Sequence, residues 1–461
     1  MTPLLKKILA SVLLCGIVSS ANAASPFNQL IGVDYQPNHY SPMNKFNFHD
    51  VFYVGNNSAG KPITNVYQEL VQLKAAGFTT VRSYQTDLYS WVDIINQAHA
   101  LGLKVVYEAN IPQSGNQTDI NAAKTLLTAV IAQVGLTTFN QTVILVFAGH
   151  ENLSATNENY LANAVTALKI ITTVPVGSAL LSGDLIGPAP NVGVVLNSYS
   201  LDAPYAYDPY PFQWGVTTPT LAVTATSLMN SIAWDYDKVF INYPAYANSL
   251  LMAESGWATA GLGNYANYFC APPHNNPTIC KPSISNASKY LTALYAYVLD
   301  PIHKAGVLVF EAYDEPAKPY GMPPKIAPND AEHFYGVFDK NCKQKAAGLI
   351  PKNTLVTELG CQGYANGSLL TLVGYGKPYT IHIVQNNPLT HKDASITLTG
   401  NGKPGPFGST DWPHFLVFSG AKITIRGNPS CTSTVTAIDS AQKISFKGKC
   451  NCSNKDNNCY Y

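Results

Sequence analysis

From residue 27 to about 345 the chain alternates two kinds of segment. In one kind, apolar residues recur every three to four positions. Val66 to Ala76 is apolar at 66, 67, 70, 71 and 73, and Trp91, Ile94, Ile95 and Ala98 share one face of the next such segment. This spacing predicts amphipathic helices. The other kind is a short, nearly continuous apolar run. Eight of these predict strands at Phe27–Pro37, Thr79–Tyr84, Lys104–Ile111, Thr142–Phe147, Val174–Leu181, Leu201–Phe212, Ser249–Ala253 and Gly306–Glu311. Continuous rather than alternating hydrophobicity marks strands covered on both faces, as in a parallel sheet. The joints repeat: A-A-G-F-T-T-V at 75–81, A-L-G-L-K-V-V at 100–106 and K-A-G-V-L-V-F at 304–310. Each reads as a helix closed by glycine and followed by a buried strand. Eight strands alternating with helices predict an α/β fold, a closed (β/α)8 TIM barrel. A doubly wound open sheet is the alternative, but no Gly-rich phosphate loop follows the first strand.

The pattern changes near residue 350. Thr380–Val384, Ala394–Leu398 and Lys422–Ile425 are short alternating runs between Gly, Asn and Pro turns, which predict a small antiparallel β domain over 349–461. The barrel then occupies 24–348. The first 23 residues read as a secretory signal: a basic Lys6-Lys7, an apolar run from Ile8 to Val18, and the small-x-small triplet Ala21-Asn22-Ala23. The expected destination is secreted, periplasmic or cell-surface. The apolar run is short for a bilayer span, and no second segment approaches membrane length, so no membrane partner is expected. Cleavage would remove Cys15 and leave eight cysteines, an even number that implies disulfides in an exported chain. Cys270 with Cys280 and Cys342 with Cys361 are the local pairs; pairing among the last four stays open. The spacing Cys450-x-Cys452 does not suit a zinc knuckle.

Charge is sparse. Lys, Arg, Asp and Glu make up 12% of residues and the net charge is +1, against a usual quarter. Nothing here suits a nucleic-acid partner. With 28 tyrosines, the composition suits a protein that handles neutral sugars, whose rings stack on aromatic faces; any single Tyr is otherwise a core filler. Against this background two acids stand out. Glu151 follows the apolar run Val143–Ala148, and Glu254 follows Leu250–Ala253. In a barrel, the C-terminal strand ends form the site. A carboxylate at such a rim is costly unless used or paired. Two facing carboxylates provide the machinery of glycoside hydrolysis, one as acid/base and one as nucleophile. The alternative is that each is a rim brace paired with a nearby Arg or Lys. The chemistry needs no metal and no organic cofactor.

These acids lie in motifs that resemble glycoside hydrolase family 17, of clan A. M-A-E-S-G-W at 252–257 resembles its nucleophile motif S-E-T-G-W-P-S. G-V-D-Y-Q at 32–36, V-R-S-Y-Q-T-D at 81–87, D-P-Y-P-F at 208–212 (against N-x-Y-P-F), F-E-A-Y-D-E-P-A-K at 310–318 and E-H-F-Y-G-V-F at 332–338 follow in family order. The first strands are also similar to fungal β-1,3-glucanosyltransferases. The resemblance implies a barrel enzyme of the glucan β-1,3-glucosidase type, cleaving a β-glucan polysaccharide or oligosaccharide with retention; a monomer is expected. It implies Glu254 as nucleophile and Glu151 as acid/base, with Glu315, Lys318 and Glu332 nearby. Tyr35, Tyr84, Tyr210 and Trp257 would line the sugar subsites.

Two departures bear on function. The family carries Asn before the acid/base, where it bonds the sugar 2-hydroxyl; here the residue is His150, whose charge varies with pH. P-A-K replaces P-W-K and removes an aromatic. The segment Asn264 to Asn286 is longer than the family loop and reads as a disulfide-braced lid that would favour transfer over hydrolysis. The expected activity is thus retaining β-glucan hydrolysis, chiefly of β-1,3 linkages. A β-1,3-glucan transglycosylase and a non-catalytic glycan-binding protein are the rivals. N-x-S/T triplets occur at Asn116, Asn140, Asn152, Asn286 and Asn366.

Overall fold

The computed structural model describes residues 25–37, 53–56, 62–112, 114–153, 157–187, 192–210, 225–244, 249–261, 282–315, 331–340 and 342–356, together with short strands between 369 and 460. The signal segment, the 262–281 part of the lid, Lys318, and the cysteines 270, 280 and 361 lie outside the described residues.

Eight parallel strands close into a barrel. We number them β1 (Ile31–Asp34), β2 (Thr80–Ser83), β3 (Lys104–Ala109), β4 (Val143–His150), β5 (Val176–Leu181), β6 (Tyr205–Asp208), β7 (Leu250–Ser255) and β8 (Ala305–Val309). Each pairs with its sequence neighbour, and β8 closes on β1 with Ile31 opposite Val307. All eight strands fall where continuous apolar runs predict them. Their residues are buried on both faces, as the barrel requires. Helices α1 (Asn65–Ala76), α2 (Leu88–Leu101), α3 (Gln117–Val134), α4 (Leu136–Thr142), α5 (Glu158–Lys169), α6 (Ser182–Ile186), α7 (Val192–Ser198), α8 (Ala225–Asn242) and α9 (Ile284–Leu299) cover the outside.

The glycine joints hold at two of three places. Thr64 caps α1 by accepting from the Tyr67 N–H, and Gly77 ends it at φ 102° with its N–H on Lys74 O. That left-handed φ is why glycine stands there. Gly102 does the same for α2 at φ 70°. The third differs. Gly306 lies inside β8, and α9 ends earlier, at Leu299. A Cβ on Gly306 would sit 2.4 Å from Phe27 O, so this glycine serves close packing, not a helix end.

Among the described residues no single helix is long and apolar enough to cross a membrane. The pair α3 and α4 passes that test only jointly, across a sharp bend, and buries Ile120, Leu127, Val130 and Phe139 in the core. Beyond 356, strands at Leu369–Gly374, Lys377–Val384, Ala394–Thr399, Ala421–Arg426, Asn451–Ser453 and Asn458–Tyr460 form one sheet. It departs from the expected all-antiparallel pattern at one pair: Ala394–Thr399 and Ala421–Arg426 run parallel. The connection between them is over twenty residues long, enough for a crossover rather than a hairpin. Cys342 is buried and disulfide-bonded.

Candidate active site

At the C-terminal mouth of the barrel, successive strands deliver charged side chains: Asp34 from β1, Arg82 from β2, Glu108 from β3, His150 from β4, Asp208 from β6 and Glu254 from β7. Glu151 follows β4. Two irregularities aim the glutamates. On β7, Met252 to Ser255 opposes only Val307 to Val309. On β4, Phe147 to His150 opposes only Gly177 to Ala179. Such bulges re-aim side chains beside active sites. Glu151 also carries φ 46°, a left-handed conformation uncommon for a non-glycine residue, held by its N–H on Ala179 O at 3.0 Å. Such backbone is kept where the surroundings over-determine it, and it clusters at active sites. Gly149 precedes the turn at φ 77°, and a Cβ there would lie 2.4 Å from the Asn152 side chain.

The Ser-Gly-Trp after Glu254 is explained by packing. Ser255 Oγ donates to Pro209 O at 2.8 Å and shares a 2.6 Å hydrogen bond with the Tyr290 hydroxyl of α9. A Cβ on Gly256 would fall 2.0 Å from Phe310 O. Trp257 is buried against Tyr290. This anchors the strand end that carries the acid.

Glu254 is 4% exposed and heavily solvated by protein. Its Oε1 accepts from Tyr84 and from Arg82 Nη1 at 3.3 Å, with His150 Nε2 3.1 Å away; its Oε2 accepts from Tyr210 at 2.5 Å. Burial alone would raise its pKa. The charges of His150 and Arg82 and the two tyrosine hydroxyls outweigh burial and hold it below the usual Glu value. Glu151 goes the other way. Burial, then the negative charges of Asp208 and Glu254, push it up to about 8. His150 is pushed up to about 10: burial opposes its charge, but Glu254 and Glu108 favour it more strongly. Burial raises Asp208 to about 6 and holds Asp34 well above its usual range.

Arg82 organises the cluster. It is fully buried, puts Nε and Nη2 on Glu108 Oε2 at 2.8 and 2.5 Å, and donates from Nη1 to Ala253 O at 2.7 Å. It lies 3.8 Å from Asp34 and under the Tyr84 ring, 4.6 Å from its centroid.

The structure therefore brings together Glu151, Glu254, His150, Tyr84 and Tyr210. It places Tyr35 apart from them: that ring is fully buried and its hydroxyl donates to Glu69 of α1, which braces β1 against that helix. Trp257 is 2% exposed, packed in the core and not on an open face. Glu315 is buried with its carbonyl on His333 Nδ1 at 2.9 Å, and Glu332 lies on the adjoining 3₁₀ turn. Asn152 is 3% exposed with its amide on Ile111 O, which closes that triplet to glycosylation. Asp34, Arg82, Glu108 and Asp208 were not singled out from the sequence. Asp34, Glu108 and Asp208 meet the same criterion that picks Glu151 and Glu254, a polar residue ending an apolar strand.

No protein-family model matches the chain, and no curated protein matches it. Solved structures similar to it include the β-glucuronidase from Ruminococcus gnavus in complex with D-glucaro-d-lactam, at 14% identity and TM-score 0.47 over 70% of this chain and 49% of that one. The GH2 β-galacturonidase from Eisenbergiella tayi bound to galacturonate gives 14% and 0.45 over 71% and 51%. The apo β-glucuronidase 3 of Bacteroides uniformis gives 15% and 0.42 over 71% and 36%. The chain spans about half or less of these chains. At such identities and TM-scores the likeness carries no argument about activity.

Proposed function

We propose that the chain is an exported, retaining glycoside hydrolase acting on β-glucan, with β-1,3 linkages as its main target. The observation that carries this reading is the opposed ionisation of two carboxyl groups in one mouth: Glu254 held low and Glu151 pushed to about 8. Pairs of titratable groups driven apart by their surroundings mark acid and base roles. At neutral pH Glu254 is a carboxylate and Glu151 carries a proton. In the first step a Glu254 oxygen attacks the anomeric carbon while Glu151 gives its proton to the departing oxygen. In the second, Glu151 takes a proton from water, whose oxygen displaces Glu254 and releases the sugar. Oε1 already faces Tyr84, Arg82 and His150, whereas among the described residues Oε2 accepts from Tyr210 alone, so Oε2 has the free lone pair for attack. Family 17 resemblance around both acids supports the β-1,3 assignment, and the first 23 residues support export.

A second reading has one observation in its favour. His150 Nε2 lies 3.1 Å from Glu254 Oε1, and a positive charge there lowers nucleophilicity. A protein that binds glucan without cutting it would tolerate this. The test is to incubate the mature chain and Glu254→Gln with linear β-1,3-glucan, mixed-linkage glucan and cellulose, and to size the products. Shortened β-1,3 chains absent with Glu254→Gln support the hydrolase. Products longer than the substrate indicate a transglycosylase. Retained binding with no product on any glucan overturns the enzyme reading.

A further inference from the structure

We propose that His150, Glu151 and Asp208 form a site for one divalent transition-metal ion, with zinc as the reference, overlapping the acid/base of the proposed hydrolase. One ligand atom from each of the three lies within 4.8 Å of the others. His150 Nε2 and Asp208 Oδ2 are 3.3 Å apart. That is already the edge of a tetrahedron around a metal with bonds of about 2.1 Å, which is about 3.4 Å. The Glu151 carboxyl has at most roughly 1.4 Å to move by side-chain rotation, and it is only half-buried.

A second observation points the same way. Asp208 is fully buried; its Oδ2 is paired with His150, while its Oδ1 accepts no hydrogen bond among the described residues. His150 Nε2 is shared between two carboxylates, Glu254 at 3.1 Å and Asp208 at 3.3 Å. Leaving a buried polar atom without a partner is costly, and a cation seated among the three would meet the carboxylate oxygen that His150 leaves unpaired. The surrounding charge favours it: Asp34, Glu108 and Glu254 stand beside a single guanidinium, Arg82. One imidazole nitrogen with two carboxylate oxygens suits zinc, manganese or iron(II), not calcium, which takes six to eight oxygens. Three protein ligands leave a fourth position open. On binding, His150 gives up its Nε2 proton to solvent.

Binding of the metal is independent of the proposed hydrolysis; only its consequence rests on that reading. A metal on Glu151 occupies the carboxyl that must carry the proton, so the ion would inhibit. The test is zinc chloride titrated calorimetrically into the metal-free full chain, with His150→Asn, Asp208→Asn and Glu151→Gln beside it. One saturable site in the low micromolar range, weakened at least about tenfold in each variant, is the expected result. No saturable zinc binding up to about 1 mM, or equal binding in all three variants, overturns it. Should a variant fail to fold, cobalt(II) added to the parent chain decides instead: visible bands of a nitrogen-and-oxygen-ligated ion are expected, and the spectrum of the free aqueous ion would refute the site. A chain that binds zinc and cleaves no glucan keeps the site and loses the hydrolase; the reverse result does the opposite.

Discussion

Replacing Arg82 with methionine tests whether one guanidinium holds the mouth of the barrel together. Methionine fills similar space without donors. It would leave Glu108 Oε2 without the 2.8 and 2.5 Å bonds from Nε and Nη2, and Ala253 O without its 2.7 Å bond. It would also remove the cation 3.3 Å from Glu254. Arg82 is fully buried, so water cannot take its place. Breaking a buried pair by removing one partner costs about 3–5 kcal/mol. An orphaned carbonyl adds to this, while proton uptake by the stranded carboxylates subtracts. About 3–5 kcal/mol at pH 7 is therefore the expectation. For a domain of this size that is a fall of about 6–10 °C in Tm, at about 2 °C per kcal/mol. The pH dependence follows from the sign of the Glu254 shift. Its folded pKa lies below the usual Glu value, so its contribution is present above that value and lost as pH falls through the folded pKa. Differential scanning calorimetry from about pH 2 to 7 should show the parent–variant gap shrinking as pH falls below the usual Glu range. Arg82→Lys, which keeps charge but not the fork, should fall between the two. A Tm within about 2 °C of the parent at pH 7, or a gap constant with pH, would refute the argument.

Other perturbations test the site piece by piece. The pH profile of kcat/KM on β-1,3-glucan should be bell-shaped, with an alkaline limb near 8 set by Glu151 and an acid limb from Glu254 below the usual Glu range; an alkaline limb that persists in Glu151→Gln assigns it elsewhere. Tyr210→Phe removes the 2.5 Å hydrogen bond to Glu254 Oε2, so the acid limb should move to higher pH and kcat/KM should drop roughly tenfold, about 1.4 kcal/mol; an unmoved limb contradicts the role given to Tyr210. Gly256→Ala forces a Cβ to within 2.0 Å of Phe310 O and should cost about 1–3 kcal/mol in chemical denaturation, whereas a neutral result would mean that the β7 end is free to shift.

The barrel was legible because its strands are buried on both faces and so read as unbroken apolar runs. Gly77 and Gly102 were legible because a left-handed helix end needs glycine. Gly306 misled, since glycine in a strand, required by a backbone 2.4 Å away, looks the same in sequence as glycine at a cap. Glu151 and Glu254 stood out as acids ending apolar strands. Asp34, Glu108 and Asp208 end strands in the same way, but which acids share Arg82 depends on contacts across the barrel, between residues as far apart as 82 and 254. Tyr35 illustrates the converse. Its motif suggested a subsite, yet a tyrosine next to a strand end can point outward to a helix, and this one reaches Glu69.

Two polar residues of the mouth, His150 at the end of β4 and Asp208 at the end of β6, are neighbours. Their side chains meet at 3.3 Å. An Asn pair is neutral, and an imidazolium facing a carboxylate is neutral as a pair as well. Either change alone is not. Asp208 is fully buried, so His150→Asn strands a carboxylate without its cation and should cost about 3–5 kcal/mol. Asp208→Asn is milder, because Glu254 and Glu108 still hold the His150 charge. The double variant restores the neutral pair. A double-mutant cycle in urea should therefore give a coupling of about 1–3 kcal/mol, with the double variant more stable than His150→Asn alone. Additivity within about 0.5 kcal/mol would mean that the two residues, although adjacent, do not stabilise one another.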